Sequence, residues 1–127
     1  MKVLLADDSD LILERLQQML SPNPEVEIVG SFKNGNDTLA ALRVLKPDLA
    51  IVDIKMPGLS GLEVLHEIRK EDSSVKFIIL TFYSSDNYRK LAIRSGADYF
   101  FSKVDDFEKI PLVVNELLGK PSILPIM

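Results

Sequence analysis

Residues 1–16, MKVLLADDSDLILERL, contain the pattern that decides the fold. The apolar run from Val3 to Ala6 has the length and composition of a buried β-strand. Asp7, Asp8 and Asp10 follow it at once, and apolar residues spaced three and four apart come next, which predicts an amphipathic helix. A buried strand that leads through a polar turn into such a helix is a βα unit.

The same pattern recurs along the chain. The five predicted strands are Val3 to Ala6, Val26 to Phe32, Leu49 to Val52, Phe77 to Leu80 and Tyr99 to Phe101. A segment with helical spacing follows each of them, and the fifth helical pattern starts at Phe107. Continuous apolar strands that alternate with helices predict an α/β fold, with a parallel sheet covered by helices on both faces. For five units we expect the doubly wound, flavodoxin-like strand order 2-1-3-4-5.

Length and composition limit the domain organisation. The chain has 127 residues, of which 46% are hydrophobic, and this suits one domain with a proper core. We predict this domain over residues 1–118. Residues 119–127 contain two prolines and no periodic pattern, which is typical of a tail or a truncated linker.

Charge and cysteine content exclude several classes of function. The net charge is −4 and the basic residues are scattered, so we expect no direct binding of nucleic acid. The chain has no apolar stretch of transmembrane length, no signal-peptide pattern and no cysteine. We therefore expect a cytoplasmic protein with no membrane contact, in which any metal is bound by oxygen ligands.

Polar residues end four of the five predicted strands. Asp7 and Asp8 follow the first strand, Asp53 the third, Thr81 the fourth and Lys103 the fifth. Because the carboxyl ends of parallel strands meet at one edge, these side chains should share a crevice. Three carboxylates there favour a hard cation, and Mg²⁺ fits because it leaves room for phosphate oxygens. The set predicts phosphoryl transfer to Asp53, with Lys103 and Thr81 as partners of the phosphoryl oxygens.

Four motifs carry a resemblance to a known family. ADDSD, LAIVDIKMPGLSGLEVL, IILTFYS and GADYFFSK together resemble the receiver domain of two-component response regulators. The resemblance implies these site residues: Asp7 and Asp8 for the metal, Asp53 as phosphoacceptor and metal ligand, the backbone carbonyl of Lys55 as a further ligand, Thr81 as switch hydroxyl, Lys103 as phosphate-binding lysine, and Phe100 as switch aromatic.

The resemblance also implies a mechanism and partners. Thr81 would move towards a phosphoryl group on Asp53, and Phe100 would then turn inward and change the face built by the fourth helix, fifth strand and fifth helix. The donor would be a phosphohistidine on a sensor histidine kinase or a histidine phosphotransfer protein, with the exposed Leu11 as a candidate contact. The output would be a downstream protein partner or a covalent output domain, and phosphorylation could produce a homodimer. The domain would catalyse only its own phosphorylation and dephosphorylation.

Three residues depart from the family pattern. Val104 follows the lysine where many relatives have a proline, so we expect a trans Lys103–Val104 bond. Phe82 takes the place of a small residue after Thr81 and should slow dephosphorylation by limiting access. Lys55 could place a second cation over the phosphoryl group or point to solvent.

Two other classes share parts of the pattern. The segment Asp8-Ser9-Asp10 imitates the nucleophile motif of haloacid dehalogenase-type phosphatases, with Asp8 as nucleophile, but that class would leave Asp53 without a role. A flavodoxin-type cofactor binder shares the fold, yet the first loop offers acids where a flavin phosphate needs hydroxyl and backbone donors.

Overall fold

The structure, a computed structural model, describes residues 1–120 of the chain. The strands are β1 (Lys2–Ala6), β2 (Glu27–Phe32), β3 (Leu49–Val52), β4 (Lys76–Thr81) and β5 (Tyr99–Ser102). The helices are α1 (Asp10–Leu20), α2 (Gly35–Leu45), α3 (Gly61–Arg69), α4 (Asp86–Arg94) and α5 (Ile110–Leu117). Most of the predicted tail, from residue 121 onwards, lies outside the described residues.

Within residues 1–120, the strands form one sheet in which every neighbouring pair is parallel. The strand order is β2-β1-β3-β4-β5, which confirms the predicted order 2-1-3-4-5. The order changes direction at β1, so β1 and β3 lie side by side although they are not consecutive. Their carboxyl ends therefore flank the topological switch point, which is where ligands bind in this class of fold.

The sheet carries an apolar core on each face because successive strand residues point to opposite sides. On one face Leu4, Val52 and Phe77 pack against α2, α3 and α4. On the other face Leu5 and Ile51 pack against α1 and α5. Residues of β1, β3 and β4 are almost completely buried, as expected for a parallel sheet covered on both sides.

Polar side chains fix where the helices begin. Ser9 is the N-cap of α1, and its hydroxyl accepts a hydrogen bond from the backbone N–H of Ile12 at 3.3 Å. Asp10 is the acidic residue of the first turn and pairs with Lys33. Ser85 is likewise the N-cap of α4. These caps satisfy backbone donors that have no partner within the helix.

The start of the last helix differs from its apolar pattern. We predicted helical spacing from Phe107, whereas residues Phe107–Lys109 form a 3-10 turn and α5 begins at Ile110. Pro111 stands in the first turn of α5, where its missing N–H costs nothing and its fixed φ favours a new helix start. Within residues 1–120, no helix has both the length and the apolar character needed to cross a membrane.

Candidate functional site

Backbone hydrogen bonds fix the residues that follow the strands. The N–H of Asp7 donates to Phe32 O and the N–H of Asp53 donates to Ala6 O, both at 2.9 Å. The N–H of Lys103 donates to the carbonyl oxygen of Thr81 at 3.0 Å. The main chain of these residues therefore continues the hydrogen bonding of the sheet, although their side chains lie beyond its edge.

The acidic residues meet as the sequence predicts. One carboxylate oxygen from each of Asp7, Asp8 and Asp53 lies within 4.8 Å of the other two. Asp7 is 1% exposed and Asp53 is 6% exposed, whereas Asp8 is open to solvent. Mutual repulsion at this spacing disfavours three free anions, and three hard oxygen ligands beside solvent suit a divalent cation such as Mg²⁺.

Lys103 supplies a cation to the same carboxylates. Its Nζ lies 2.6 Å from Asp7 Oδ2 and 2.9 Å from Asp53 Oδ2. Burial alone would lower the pKa of Lys103, but the hydrogen bonds to Asp7 and Asp53 outweigh it, so the pKa is raised above its ordinary value. Burial raises the pKa of Asp7, and the charge of Asp53 acts in the same direction. One ammonium group thus contacts two of the three carboxylates and compensates only part of the charge of the cluster.

Backbone donors orient the remaining carboxylate oxygens. Asp7 Oδ1 accepts from the N–H of Ser9 at 2.9 Å, and Asp53 Oδ1 accepts from the N–H of Ile54 at 2.7 Å. Gly61 packs so closely that a Cβ there would lie 2.0 Å from the carbonyl oxygen of Asp53. Only glycine permits this close approach between the start of α3 and the main chain of Asp53.

Thr81 ends β4 and is fully buried. Its Oγ1 accepts a hydrogen bond from the N–H of Tyr83 at 3.1 Å. Because that bond uses an acceptor position, the hydroxyl proton of Thr81 remains available to a further acceptor.

Phe100, the expected switch aromatic, lies inside the domain. The residue is 3% exposed and belongs to the core under α2, α3 and α4. The Arg89 guanidinium lies 4.9 Å from the centroid of its ring, and Arg89 Nη1 donates to Phe100 O at 3.3 Å. Contacts from α4 therefore hold the aromatic ring in its inward position.

Two exposed aromatic residues lie above the site. The Phe82 ring centroid is 4.9 Å from Lys103 Nζ, and Phe82 is 62% exposed. Lys55 Nζ is 5.2 Å from the ring centroid of Tyr83, so this side chain contacts an aromatic ring of the next loop. Phe82 thus covers part of the buried ammonium group, whereas Lys55 contacts Tyr83.

The remaining predictions concern one peptide bond and two exposed side chains. The Lys103–Val104 peptide bond is trans, as expected. Val104 is 75% exposed and Leu11 is 76% exposed. Sequence reasoning missed the N–H donors of Ser9 and Ile54, because backbone donors leave no side-chain signal.

A parallel α/β sheet with three acids and a lysine at its switch point defines the class of protein as a flavodoxin-like domain with an acidic pocket. The chain belongs to the family of response regulator receiver domains, because the model of that family matches residues 3–115. It is therefore a signalling domain of two-component systems.

The comparisons find similar proteins that carry different names. The chain is 29% identical to the response regulator protein VraR of Staphylococcus saprophyticus, over 96% of this chain and 58% of that protein. It is 38% identical to protein-glutamate methylesterase/protein-glutamine glutaminase 1 of Methanospirillum hungatei, over 94% of this chain and 35% of that protein. A DNA-binding response regulator of the LuxR family from Staphylococcus aureus has a similar structure, with a TM-score of 0.84 at 29% identity, over 91% of this chain and 97% of that one. The chain spans between 35% and 58% of the length of these curated relatives.

Proposed function

We propose that this domain accepts a phosphoryl group on Asp53 from a phosphohistidine donor. A carboxylate oxygen of Asp53 attacks phosphorus, the P–N bond breaks, and the imidazole nitrogen keeps the electron pair. The observation that carries the proposal is the buried Lys103 ammonium group at 2.9 Å from Asp53, because it places a fixed positive charge where phosphoryl oxygens would gather.

Asp7, Asp8, Asp53 and the backbone carbonyl of Lys55 would hold Mg²⁺, which when bound neutralises charge on the phosphoryl oxygens. The three carboxylate oxygens within 4.8 Å of one another support this assignment. Asp8 is better placed than Asp7 to bind an incoming ion directly. Asp8 is exposed, whereas the carboxylate of Asp7 is already bonded to Lys103 and to the N–H of Ser9.

The response to phosphorylation passes through Thr81 and Phe100. The Thr81 hydroxyl proton can donate to a phosphoryl oxygen, which would draw the side chain away from the core. Phe100 lies on β5, the strand that pairs with β4, so its contact with Arg89 would adjust and change the face built by α4, β5 and α5. A difference of a few kcal/mol between two arrangements is enough for phosphorylation to shift their populations.

The donor is a sensor histidine kinase or a histidine phosphotransfer protein, and Leu11 beside the site is a candidate contact because it is 76% exposed. The output is a downstream protein partner or a covalent output domain, and phosphorylation can favour a homodimer. The relatives support a covalent domain of more than one kind, since one is a DNA-binding regulator and another a methylesterase.

Mass spectrometry after incubation with acetyl phosphate and Mg²⁺ tests the proposal. We expect phosphate on Asp53, none in Asp53→Asn, and none after chelation of Mg²⁺. The exposed Asp105→Asn is the matched control and should be phosphorylated normally. Turnover of a phosphate ester that depends on Asp8, with no phosphate on Asp53, would instead support the dehalogenase-type phosphatase and overturn the proposal.

A further inference from the structure

The loop after β5 closes on itself around Lys103. Asp106 Oδ2 accepts from the N–H of Ser102 at 2.9 Å, and the N–H of Asp106 donates to Ser102 O at 2.9 Å. Ser102 Oγ accepts from the N–H of Val104 at 3.1 Å and from that of Asp105 at 3.3 Å. We call Ser102 and Asp106 the β5–α5 clamp.

Hydrogen bonds rather than apolar packing hold this loop. Val104 is 75% exposed and Asp105 is also exposed, so neither side chain anchors the loop in the core. Ser102, in contrast, is 5% exposed, and its N–H, carbonyl and hydroxyl all bond to the loop that follows. The Asp106 side chain also forms an ion pair with Lys109 at 2.8 Å, which ties the clamp to the turn before α5.

The clamp lies on either side of the lysine that contacts the carboxylates. Lys103 follows Ser102 directly, and its own N–H is bound to Thr81. A lysine side chain has four rotatable carbon bonds and little geometric preference, so a fixed main chain is needed to aim its ammonium group. Misplacement of a group by about 1 Å can cost on the order of 100-fold in rate.

We propose that Ser102 and Asp106 are positioning residues for phosphoryl transfer, which hold the main chain of Lys103 so that its ammonium group meets Asp7 and Asp53. This inference rests on the proposed function for its kinetic consequence. Its structural consequence, an ordered Lys103 ammonium group, does not require phosphorylation.

The kinetic test compares Asp106→Ala with Asp105→Ala, which removes an exposed carboxylate from the neighbouring residue. At saturating Mg²⁺ and with acetyl phosphate as donor, we expect Asp106→Ala to phosphorylate Asp53 about tenfold more slowly. Asp105→Ala should react like the wild type. Asp106→Asn keeps an oxygen acceptor for the N–H of Ser102 and should recover most of the rate, with the Mg²⁺ dissociation constant little changed in all three variants.

A double-mutant cycle separates positioning from general destabilisation. In the slow Lys103→Met background, Asp106→Ala should cause no further loss of rate, because there is no ammonium group left to position. An equal fold loss in both backgrounds, or a rate for Asp106→Ala equal to that of Asp105→Ala, would overturn the inference.

The ammonium group can also be followed directly by nitrogen-15 NMR. The wild type and Asp105→Ala should give a slowly exchanging Lys103 Nζ signal, and Asp106→Ala should lose it. This measurement tests whether the β5–α5 clamp orders the Lys103 ammonium group, and it does so even if Asp53 is not phosphorylated. Failure of the inference and failure of the proposed function are therefore distinguishable. A signal retained in Asp106→Ala would contradict the clamp.

Discussion

Lys103 Nζ lies 2.9 Å from Asp53 Oδ2, and neither side chain is more than 7% exposed. Removing one partner of a buried ion pair leaves an uncompensated charge and costs on the order of 3–5 kcal/mol. We therefore expect Lys103→Met to unfold at lower urea concentration than the wild type. Added Mg²⁺ should stabilise this variant more than the wild type, because the ion no longer competes with an ammonium group for the same oxygens.

Lys90→Met is the matched control for this comparison, because Lys90 is a solvent-exposed lysine on α4, away from the carboxylates. It should show the same response to Mg²⁺ as the wild type. A Mg²⁺ response of Lys103→Met no larger than that of Lys90→Met would contradict competition between Mg²⁺ and the ammonium group for the same oxygens.

Phe82 covers the Lys103 ammonium group, with its ring centroid 4.9 Å from Nζ. On this side of the site the ring would hinder a water that approaches a phosphoryl group on Asp53. Phe82→Ala should therefore shorten the lifetime of the phosphorylated protein, measured by loss of phosphate after removal of the donor. Phe82→Leu keeps most of the bulk and should keep most of the lifetime, and equal lifetimes for all three proteins would exclude a covering role.

Arg89 holds the Phe100 ring through a guanidinium contact at 4.9 Å and a hydrogen bond to Phe100 O. A cation–π contact at an exposed site is worth about 0.5–1 kcal/mol, which corresponds to a population change of about two- to fivefold. Arg89→Ala should raise the population with a mobile Phe100 ring, seen in aromatic NMR line shapes, and leave phosphorylation of Asp53 unchanged. The adjacent exposed Lys90→Ala serves as control, and identical Phe100 spectra in both variants would argue against the contact.

Phe100 is buried in the core between the sheet and α4. If the response to phosphorylation passes through this ring, Phe100→Ala should be phosphorylated on Asp53 and fail to change its binding to a partner, which pull-down with and without acetyl phosphate measures. The cavity should also lower the free energy of unfolding by about 3–5 kcal/mol. Normal phosphorylation-dependent binding by this variant would show that the response to phosphorylation does not require the Phe100 ring.

The sequence predicts the sheet because its signals are local. Apolar runs such as Leu49 to Val52 give the strands, and the strand-terminal positions of Asp7 and Asp53 bring these residues together once the strands are parallel. The contact between Phe100 and Arg89 is not predictable in this way, because it joins two different elements of the fold.

The clamp between Ser102 and Asp106 was also missed. A serine and an aspartate four residues apart occur in many turns, and only the backbone path shows that they enclose Lys103. Side-chain chemistry at a strand end is thus visible in the sequence, whereas the contacts that orient it depend on the tertiary structure.

Asp106 links stability to pH through a carboxylate with a lowered pKa. The hydrogen bond from Lys109 is the largest cause of that lowering, followed by the N–H of Ser102. A group whose pKa is lower in the folded than in the unfolded state stabilises the fold above the unfolded value of about 3.9, and this contribution is lost as pH falls through the folded pKa. Asp106→Asn should therefore be less stable than the wild type at pH 7, and the difference should shrink as the pH is lowered below about 4. Urea unfolding at several pH values measures the difference, with Asp105→Asn as a control that changes the same charge at an exposed site. A difference that stays constant across this pH range would show that the charge of Asp106 does not contribute to the stability of the loop.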